Sequence, residues 1–375
     1  MHIVCTVGYN HNMTTVSSQV YYDPSHAKRE GVLFEGWILA ALSGQLPNPS
    51  MVWVADVQSQ TILLVRGEDG IVRAFENSCL HRGTQIYPPK TGRHAWKGEP
   101  ISAVTCGYHG WKYTDRGAIQ HIPKAKGIQC TETHLKQYAV FEDAGFIWVS
   151  LETPRIDAAS LFAPIHDAVR HYHLEEMEPI EARDFHFPVN WKVSLENALD
   201  YYHVSTVHPK TVGAHVDAEP TFRDLGWHSL QTLYIAPYGW REKLDNHCAR
   251  KRPYSDHELS SLHKYFVFPN LVINVLPYHL TVMQFFPNGP TDCIMRYRFC
   301  QRQKPGKIER ARVWASWVAS RYILYEDVRI YTQIQQGMEK STQTEHPLHE
   351  QERGVEHFHD ALNRWIDDTQ PASET

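Results

Sequence analysis

The chain has 375 residues, of which 42% are hydrophobic, enough for about two domains with a substantial core. Its formal net charge of −5, with the histidines neutral, provides no overall basic field that would attract nucleic acid or an anionic membrane. No apolar run approaches the roughly 18 residues of a membrane-spanning helix, and the first residues lack the basic and apolar regions of a signal peptide.

Residues 1–36 are predicted to lead into a β-rich domain over residues 37–152. Short runs rich in β-branched and aromatic residues, separated by turn-forming residues, indicate successive antiparallel strands. We expect these strands at residues 51–56, 61–66, 71–75 and 146–151, with a turn at 67–70.

Two cysteine–histidine pairs stand within this domain. Cys79 and His81 are separated by one residue, Cys106 and His109 by two, and 24 residues lie between the pairs. Two thiolates and two imidazoles hold a [2Fe–2S] cluster with a raised reduction potential, roughly −150 to +300 mV. Zinc is the alternative, because it takes the same donors. Zinc modules, however, usually pair cysteine with cysteine and histidine with histidine, so the mixed pairs favour iron and sulfur.

The sequence around both pairs resembles the two cluster loops of Rieske proteins, at residues 75–83 and 106–113. Glycines in these loops, Gly83, Gly107 and Gly110, let backbone N–H groups approach the cluster sulfurs. Two features depart from the family pattern. The spacer between the loops is longer than usual, with the excess near residues 88–100, and Gly107 stands where the family often has proline.

The other five cysteines are expected to be free thiols, which is typical of a protein of the reducing cytoplasm. They are Cys5, Cys130, Cys248, Cys293 and Cys300.

A second domain is predicted over residues 153–367, followed by a polar tail at 368–375. A helix is expected at residues 164–171, with its proline tolerated in the first turn. Strand patterns at 265–268, 271–275 and 280–286 indicate an antiparallel sheet.

Residues 190–209 are predicted to form a helix from Trp191 to about residue 207, ended by Pro209. Its two histidines, His203 and His208, are five positions apart, which separates them by about 140° on an ideal helix. If both bind one ion, the helix must loosen or end between them. The alternative is a core helix with two stray histidines.

An acid three positions before the first histidine completes this pattern. Asp200 is expected to share the helix face of His203 and to accept a hydrogen bond from its second ring N–H. Two imidazoles and a carboxylate on one face of a ferrous ion leave positions open for dioxygen and substrate.

The Asn-Trp-Lys, Glu-Asn and Asp-x-x-His-x4-His-Pro pattern of this segment resembles the mononuclear iron segment of Rieske non-haem iron oxygenases. By that resemblance Asp327 supplies the third iron ligand, from a helix that carries Glu-Asp and Gln-x-Gly. Glu326 is the neighbour most easily confused with it, and only one of the two can face the metal, because adjacent helical residues differ by about 100°. A solvated acidic pair is the alternative.

The resemblance implies an α+β protein, with an N-terminal all-β Rieske [2Fe-2S] domain and a C-terminal helix-grip (START/Bet v1-like) catalytic domain. It implies the terminal oxygenase of a multicomponent system, which uses O2 and electrons that a ferredoxin or flavin reductase draws from NAD(P)H. It further implies a head-to-tail homotrimer, with a β-subunit in some members. In that trimer Asp200 bridges its own His203 and His109 of the neighbouring copy.

Three functions remain open at this point. The first is hydroxylation of a small aromatic or other apolar substrate. The second is demethylation or hydroxylation of a methylammonium compound, for which Tyr201 and Tyr202 could form a cation–π cage. The third is an electron carrier whose second domain only binds a ligand, although such a carrier needs no iron triad.

Overall fold

A computed structural model describes residues 14–57, 60–89, 97–215, 219–234, 258 and 260–368. Cys5, Cys248, part of the long spacer between the cysteine loops and all but the first residue of the predicted tail lie outside these ranges. No helix within the described ranges combines the length and the apolarity needed to cross a bilayer.

The helices are α1 Pro24–Arg29, α2 Ala158–Val169, α3 Trp191–Leu199, α4 Val204–Val207, α5 Lys307–Lys340 and α6 Arg353–Asp367. The strands are β1 Thr15–Ser17, β2 Trp37–Leu42, β3 Met51–Val57, β4 Gln60–Arg66, β5 Val72–Glu76, β6 Glu99–Pro100, β7 Val104–Thr105, β8 Lys112–Tyr113, β9 Ile119–His121, β10 Gln137–Asp143, β11 Phe146–Ser150, β12 Met177–Phe187, β13 Thr221–Leu225, β14 His228–Tyr234, β15 Ser261–Val267, β16 Leu271–Leu276, β17 His279–Pro287, β18 Cys293–Arg302 and β19 Glu345–Pro347.

The first half of the chain forms a seven-stranded sheet in the order β2-β11-β10-β5-β4-β3-β6, with every pair antiparallel. The strands predicted at 51–56, 61–66, 71–75 and 146–151 are confirmed as β3, β4, β5 and β11. A separate three-stranded sheet, β7-β8-β9, carries the second cysteine loop.

The edge strand β2 is buried on both faces. Its residues are shared between two apolar clusters: Ile38 packs in one and Leu39 in the other. Successive strand residues point to opposite sides, so one strand can join two cores. This strand therefore fixes the first sheet against the elements of the second half.

The second half is built on a seven-stranded antiparallel sheet in the order β12-β18-β17-β16-β15-β14-β13. The predicted strands at 265–268, 271–275 and 280–286 are confirmed as β15, β16 and β17. The helix α5, 34 residues long, packs Val313 and Tyr331 into the same apolar cluster as Phe285 of β17. The α+β class with two antiparallel sheets is therefore confirmed.

The helix predicted at 164–171 begins earlier, because α2 starts at Ala158. Asp157 caps it by accepting hydrogen bonds from the N–H groups of Ala159 and Ser160. Pro164 therefore lies in the helix interior instead of its first turn, and that prediction was wrong. The carbonyl that Pro164 leaves without a helical partner belongs to the exposed Ser160, which water can reach.

The continuous helix predicted from Trp191 to about residue 207 is also wrong. Helix α3 ends at Leu199, and α4 begins only at Val204. Between them Asp200 has an extended backbone, and its carboxylate accepts a hydrogen bond from the Tyr202 N–H. An aspartate that bonds the backbone two residues on forms a turn in competition with the helix. One break therefore precedes His203, and the helix also ends between the two histidines as expected, because α4 stops at Val207.

The lead-in segment is tied to α3 by a buried ion pair. Glu30 accepts hydrogen bonds from Lys192 Nζ at 2.6 Å and from Trp191 Nε1 at 2.9 Å. All three side chains are buried. Because an unpaired buried charge is costly, each partner depends on the other.

Candidate metal centres and substrate cavity

The two cysteine loops have the same backbone turn. In each loop the cysteine N–H donates to the carbonyl five residues on, at 2.9 Å. The glycine four residues on donates back to the cysteine carbonyl, from Gly83 to Cys79 at 2.8 Å and from Gly110 to Cys106 at 3.1 Å. Both glycines have positive φ, +70° and +72°, which strains any other residue. The glycine spacing therefore specifies both turns.

The turns place the cysteines inside and the histidines outside. Cys79 and Cys106 are buried free thiols, whereas His81 and His109 are exposed. The two imidazole rings meet edge to face, with centroids 4.7 Å apart. All four predicted donors thus gather at the loop tips, with the imidazoles facing solvent.

The surroundings of Cys79 suit a thiolate ligand. Its Sγ lies 3.1 Å from the hydroxyl of Tyr113, which accepts a hydrogen bond from the Leu80 N–H and has a proton available to donate to a thiolate. Burial raises the pKa of the Cys79 thiol above its usual range. A buried thiol of this kind ionises when a metal supplies the compensating charge, so the donor set fits an iron–sulfur cluster.

The second constellation converges as predicted. One ligand atom from each of His203, His208 and Asp327 lies within 4.8 Å of the others. Asp327 Oδ1 is 2.8 Å from His208 Nε2 and 3.5 Å from His203 Nε2. Three donors on one side of a shared point fit a facial triad for a mononuclear ion.

The far sides of both imidazoles are held by carboxylates. His203 Nδ1 lies 2.9 Å from Asp200 Oδ2, and His208 Nδ1 lies 2.8 Å from Glu326 Oε2. An ionised carboxylate only accepts hydrogen bonds, so each Nδ1 carries a proton. In the neutral imidazole that binds a metal, each Nε2 then has the free lone pair. The predicted contact of Asp200 with His203 is present, although an extended residue makes it instead of a helical turn.

Glu326 was expected only as a residue to be confused with Asp327. Both acids instead contact His208, from different sides. Adjacent helical residues differ by about 100°, so Asp327 faces the Nε2 atom of His208 and Glu326 faces its Nδ1 atom. Glu326 also accepts a hydrogen bond from Thr211 Oγ1 at 2.8 Å. The Glu326-Asp327 pair was the one feature of the sequence that could have indicated both contacts with His208.

Asn197 is a second residue that sequence reasoning missed. Its Nδ2 lies 3.4 Å from Asp327 Oδ1, and its Oδ1 accepts from the Tyr331 hydroxyl at 3.1 Å. It lies on α3, whereas Asp327 and Tyr331 lie on α5, so it links the two helices that supply the site.

The electrostatics of the triad favour a cation. Burial lowers the pKa of His203, but the hydrogen bonds and charges of Asp200 and Asp327 outweigh it and raise that pKa to about 9. Burial raises the pKa of Asp327, and the two histidines reverse this to a net lowering. Without metal the protein therefore holds protons where a metal ion would supply the positive charge.

A cavity of about 850 Å³ opens beside the triad. The three predicted ligands, Asp200 and Tyr201 are among its walls. Leucine, isoleucine, methionine, phenylalanine and tyrosine side chains form much of the remainder: Leu233, Leu262, Leu276, Met283, Phe285, Met295, Tyr297, Ile308, Ile323 and Leu324. A volume of this order suits a small organic molecule.

The two tyrosines of the iron segment do not form a common cage. Tyr202 lies outside the cavity lining, is 53% exposed and stacks on His349 at 4.0 Å. Tyr201 lines the cavity, but the ammonium of Lys264 lies 4.0 Å from its ring centroid. The expectation of a cage built from both tyrosines is therefore wrong.

An all-β domain with two cysteine–histidine turns, joined to a sheet-and-helix domain with a His2–carboxylate triad, defines an iron–sulfur oxygenase of the Rieske type. Comparison with known families agrees. The Rieske [2Fe-2S] domain matches residues 36–138, and the ring hydroxylating alpha subunit (catalytic domain) matches residues 174–368. The chain belongs to the ring-hydroxylating α-subunit family of Rieske oxygenases.

Similar proteins include enzymes with two kinds of named substrate. The carnitine monooxygenase oxygenase subunit of Escherichia coli K12 is 23% identical over 337 residues, 86% of this chain and 84% of the relative. The toluate 1,2-dioxygenase α subunit of Pseudomonas putida is 32% identical over 192 residues, 47% of this chain and 40% of the relative.

Solved structures of this family share the fold. A quaternary ammonium Rieske monooxygenase with an inhibitor bound superposes with a TM-score of 0.77 at 17% identity, over 95% of both chains. Naphthalene 1,2-dioxygenase from Rhodococcus sp. superposes at 0.74 with 18% identity, over 95% of both chains. Another structure of the quaternary ammonium enzyme concerns carnitine oxidation and inter-subunit electron transfer.

Family membership selects among the functions left open by the sequence. The chain is the terminal oxygenase component of a Rieske system, with a [2Fe–2S] cluster and a mononuclear iron. The electron-carrier and zinc alternatives are thereby set aside.

Proposed function

We propose that Cys79, His81, Cys106 and His109 hold the Rieske cluster and that His203, His208 and Asp327 hold the mononuclear iron. The convergence of both Nε2 atoms on Asp327 Oδ1, beside a cavity, is the observation that carries this assignment. When bound, the cluster accepts and passes on single electrons, and the ferrous ion activates dioxygen next to the substrate.

The protein's own contribution at the iron site is to orient its ligands. Asp200 and Glu326 each hold a proton on the Nδ1 atom of one histidine, so that both Nε2 atoms keep their lone pairs for the metal. The carboxylates also increase the basicity of the rings. The apolar walls exclude water from the reacting face of the substrate.

Asp200 further bridges its own His203 to His109 of a neighbouring copy in a head-to-tail trimer. The exposure of His109, together with the adjacent Tyr108 at 58% exposed, supports this proposal. A ring of identical heterologous contacts brings each cluster loop to the next subunit's iron segment. Electrons reach the exposed loop from a ferredoxin or flavin reductase that oxidises NAD(P)H. A β-subunit is compatible with this arrangement.

We place the enzyme in the cytoplasm. Cys130, Cys293 and Cys300 are free thiols, and Cys130 is exposed, which suits a reducing compartment.

The substrate proposed first is a small aromatic or other largely apolar molecule, on account of the apolar cavity walls. A methylammonium compound is the second candidate. A relative that spans 86% of the chain is named for carnitine, which favours this candidate.

A single-turnover experiment tests the assignment. Purified protein is reduced with dithionite, freed of excess reductant and mixed with O2 and a substrate panel of aromatic acids, arenes and betaines. We expect one class of substrate to accelerate reoxidation of the cluster, followed by its visible absorbance, and to give a hydroxylated or demethylated product. Reoxidation at one rate with every compound, without product, would contradict the proposal.

A further inference from the structure

A buried lysine lies in the cavity wall, on the sheet side. Lys264 belongs to β15, where its backbone pairs with Asn274 of β16 and Gln231 of β14. Its side chain lines the cavity, although the residue is only 8% exposed. Lys264 therefore belongs to the rigid centre of the sheet and reaches the space beside the triad.

Within the described ranges the ammonium of Lys264 has no hydrogen-bond or ion-pair partner, and it lies 4.0 Å from the centroid of the Tyr201 ring. Lys192, which is also buried, has Glu30 at 2.6 Å. Burying an ammonium without a counter-ion is unfavourable. Burial accordingly lowers the pKa of Lys264 to about 8, with Asp200 and Asp327 acting in the opposite direction.

A second donor in the same part of the cavity lacks an acceptor. The hydroxyl of Tyr201 is buried and makes no hydrogen bond to any part of the chain that the structure describes. The nearby acids are already engaged, Asp200 with His203 and Asp327 with both histidines. Two adjacent donors without acceptors are complementary to a group that only accepts.

A second positive charge also borders the cavity. Arg312 of α5 lines the cavity, with its guanidinium 4.8 Å from the Tyr278 ring centroid and its Nη1 donating to Ser316 Oγ at 2.8 Å. A cationic headgroup placed on Tyr201 would meet the like charge of Lys264. An anionic group at the same position would meet two donors.

We propose that Lys264 binds the carboxylate of an anionic substrate, with the Tyr201 hydroxyl as a second donor. This inference rests on the proposed function and specifies the substrate class of the same cavity. It applies equally to an aromatic acid and to a betaine, whose ammonium end would lie away from Tyr201.

Binding under anaerobic conditions tests the proposal without turnover. The iron-loaded protein is titrated calorimetrically with two probe pairs that differ in the carboxylate, benzoate with benzamide and glycine betaine with choline. We expect at least one acid to bind about tenfold tighter than its partner, because a hydrogen bond to a charged group is involved. Equal binding within both pairs, or no binding of either acid at millimolar concentration, would overturn the proposal.

Variants assign the preference to one side chain. Lys264→Met should weaken binding of the acid by about tenfold to 100-fold and leave its uncharged or carboxylate-free partner within about twofold. Lys264→Arg retains the charge and should retain the preference, which separates charge loss from misfolding. Lys210→Met removes a charge from an exposed lysine of the cavity lining and should also retain it.

An unchanged acid preference in Lys264→Met would show that the charge of Lys264 is not the anchor. Iron and sulfide contents are measured on every variant. If these contents match the unaltered protein but the acids bind no tighter than their partners, the inference about the substrate class is wrong and the oxygenase assignment stands.

Discussion

The two candidate metal centres are built in different ways. The cluster site consists of two copies of one short turn. In each, the cysteine N–H donates to the carbonyl five residues on, and the cysteine carbonyl accepts from the glycine four residues on. The iron site joins a broken helix to a residue more than 110 positions downstream, and each of its histidines has a carboxylate behind it. The first site therefore depends on local backbone conformation, whereas the second depends on long-range packing.

Removing one ligand from either site should empty that site alone and leave the other loaded. We expect Cys106→Ala to lose sulfide and the cluster signal while retaining mononuclear iron, and His208→Ala to lose about one iron per chain while retaining the cluster. Both should abolish turnover, because each centre is required. Iron and sulfide analysis with product assays checks this. Loss of both metals in His208→Ala, with the fold intact by circular dichroism, would show that the sites are not independent.

Asp200→Asn should leave both centres loaded and lower turnover by at least about 100-fold. The amide oxygen can still accept the hydrogen bond from the Tyr202 N–H, so the helix break is kept, but the charge on the bridging group is lost. Metal content and steady-state product formation are the measurements. Product formation at the normal rate would refute the bridging role of Asp200.

Glu326→Gln should reduce iron affinity by about tenfold to 100-fold, because the amide supports His208 Nδ1–H less well than a carboxylate does. Competition with a graded series of chelators measures the affinity. Asp360→Asn, an exposed change on α6, is the matched control and should leave it unaltered. An unchanged iron affinity in Glu326→Gln would show that Glu326 does not support the metal site.

Lys192→Met should lower the free energy of unfolding by about 3–5 kcal/mol, because Glu30 is left buried without its partner. Replacing Glu30 as well, in Glu30→Met/Lys192→Met, should recover much of the loss. Denaturant unfolding followed by tryptophan fluorescence compares the three proteins. A single variant as stable as the parent would show that this pair does not fasten the lead-in segment to α3.

The metal-free protein should lose stability as pH rises from about 6.5 to about 9. The pKa of His203 is raised from the ordinary value of 6.5 to about 9 in the folded protein. Its contribution to the free energy of unfolding is therefore complete below about pH 6.5 and is lost as the pH rises to about 9. Chemical unfolding of the metal-free protein at several pH values measures this trend. His203→Gln should flatten it, and an equal slope in that variant would assign the trend to other groups.

The sequence predicted the local features of the fold better than the long-range ones. Strands such as β3 and β4 were found from their composition, and the cluster loops from cysteine, histidine and glycine spacing. The early break at Asp200 was missed, because helix periodicity does not show that an aspartate side chain will bond the backbone instead. The contact of Asn197 requires the packing of α3 against α5, and that of Glu326 requires the end of α4 to meet α5. The spacing along the chain reveals neither.

The central claim is that one chain holds an iron–sulfur cluster at the repeated turns and a separate iron at the broken helix. Iron and sulfide analysis of anaerobically purified protein, with EPR after dithionite reduction, tests it most directly. We expect about three irons and about two sulfides per chain, with the low average g-value of a histidine-ligated cluster. About two irons and two sulfides after iron reconstitution, or zinc without sulfide, would contradict it.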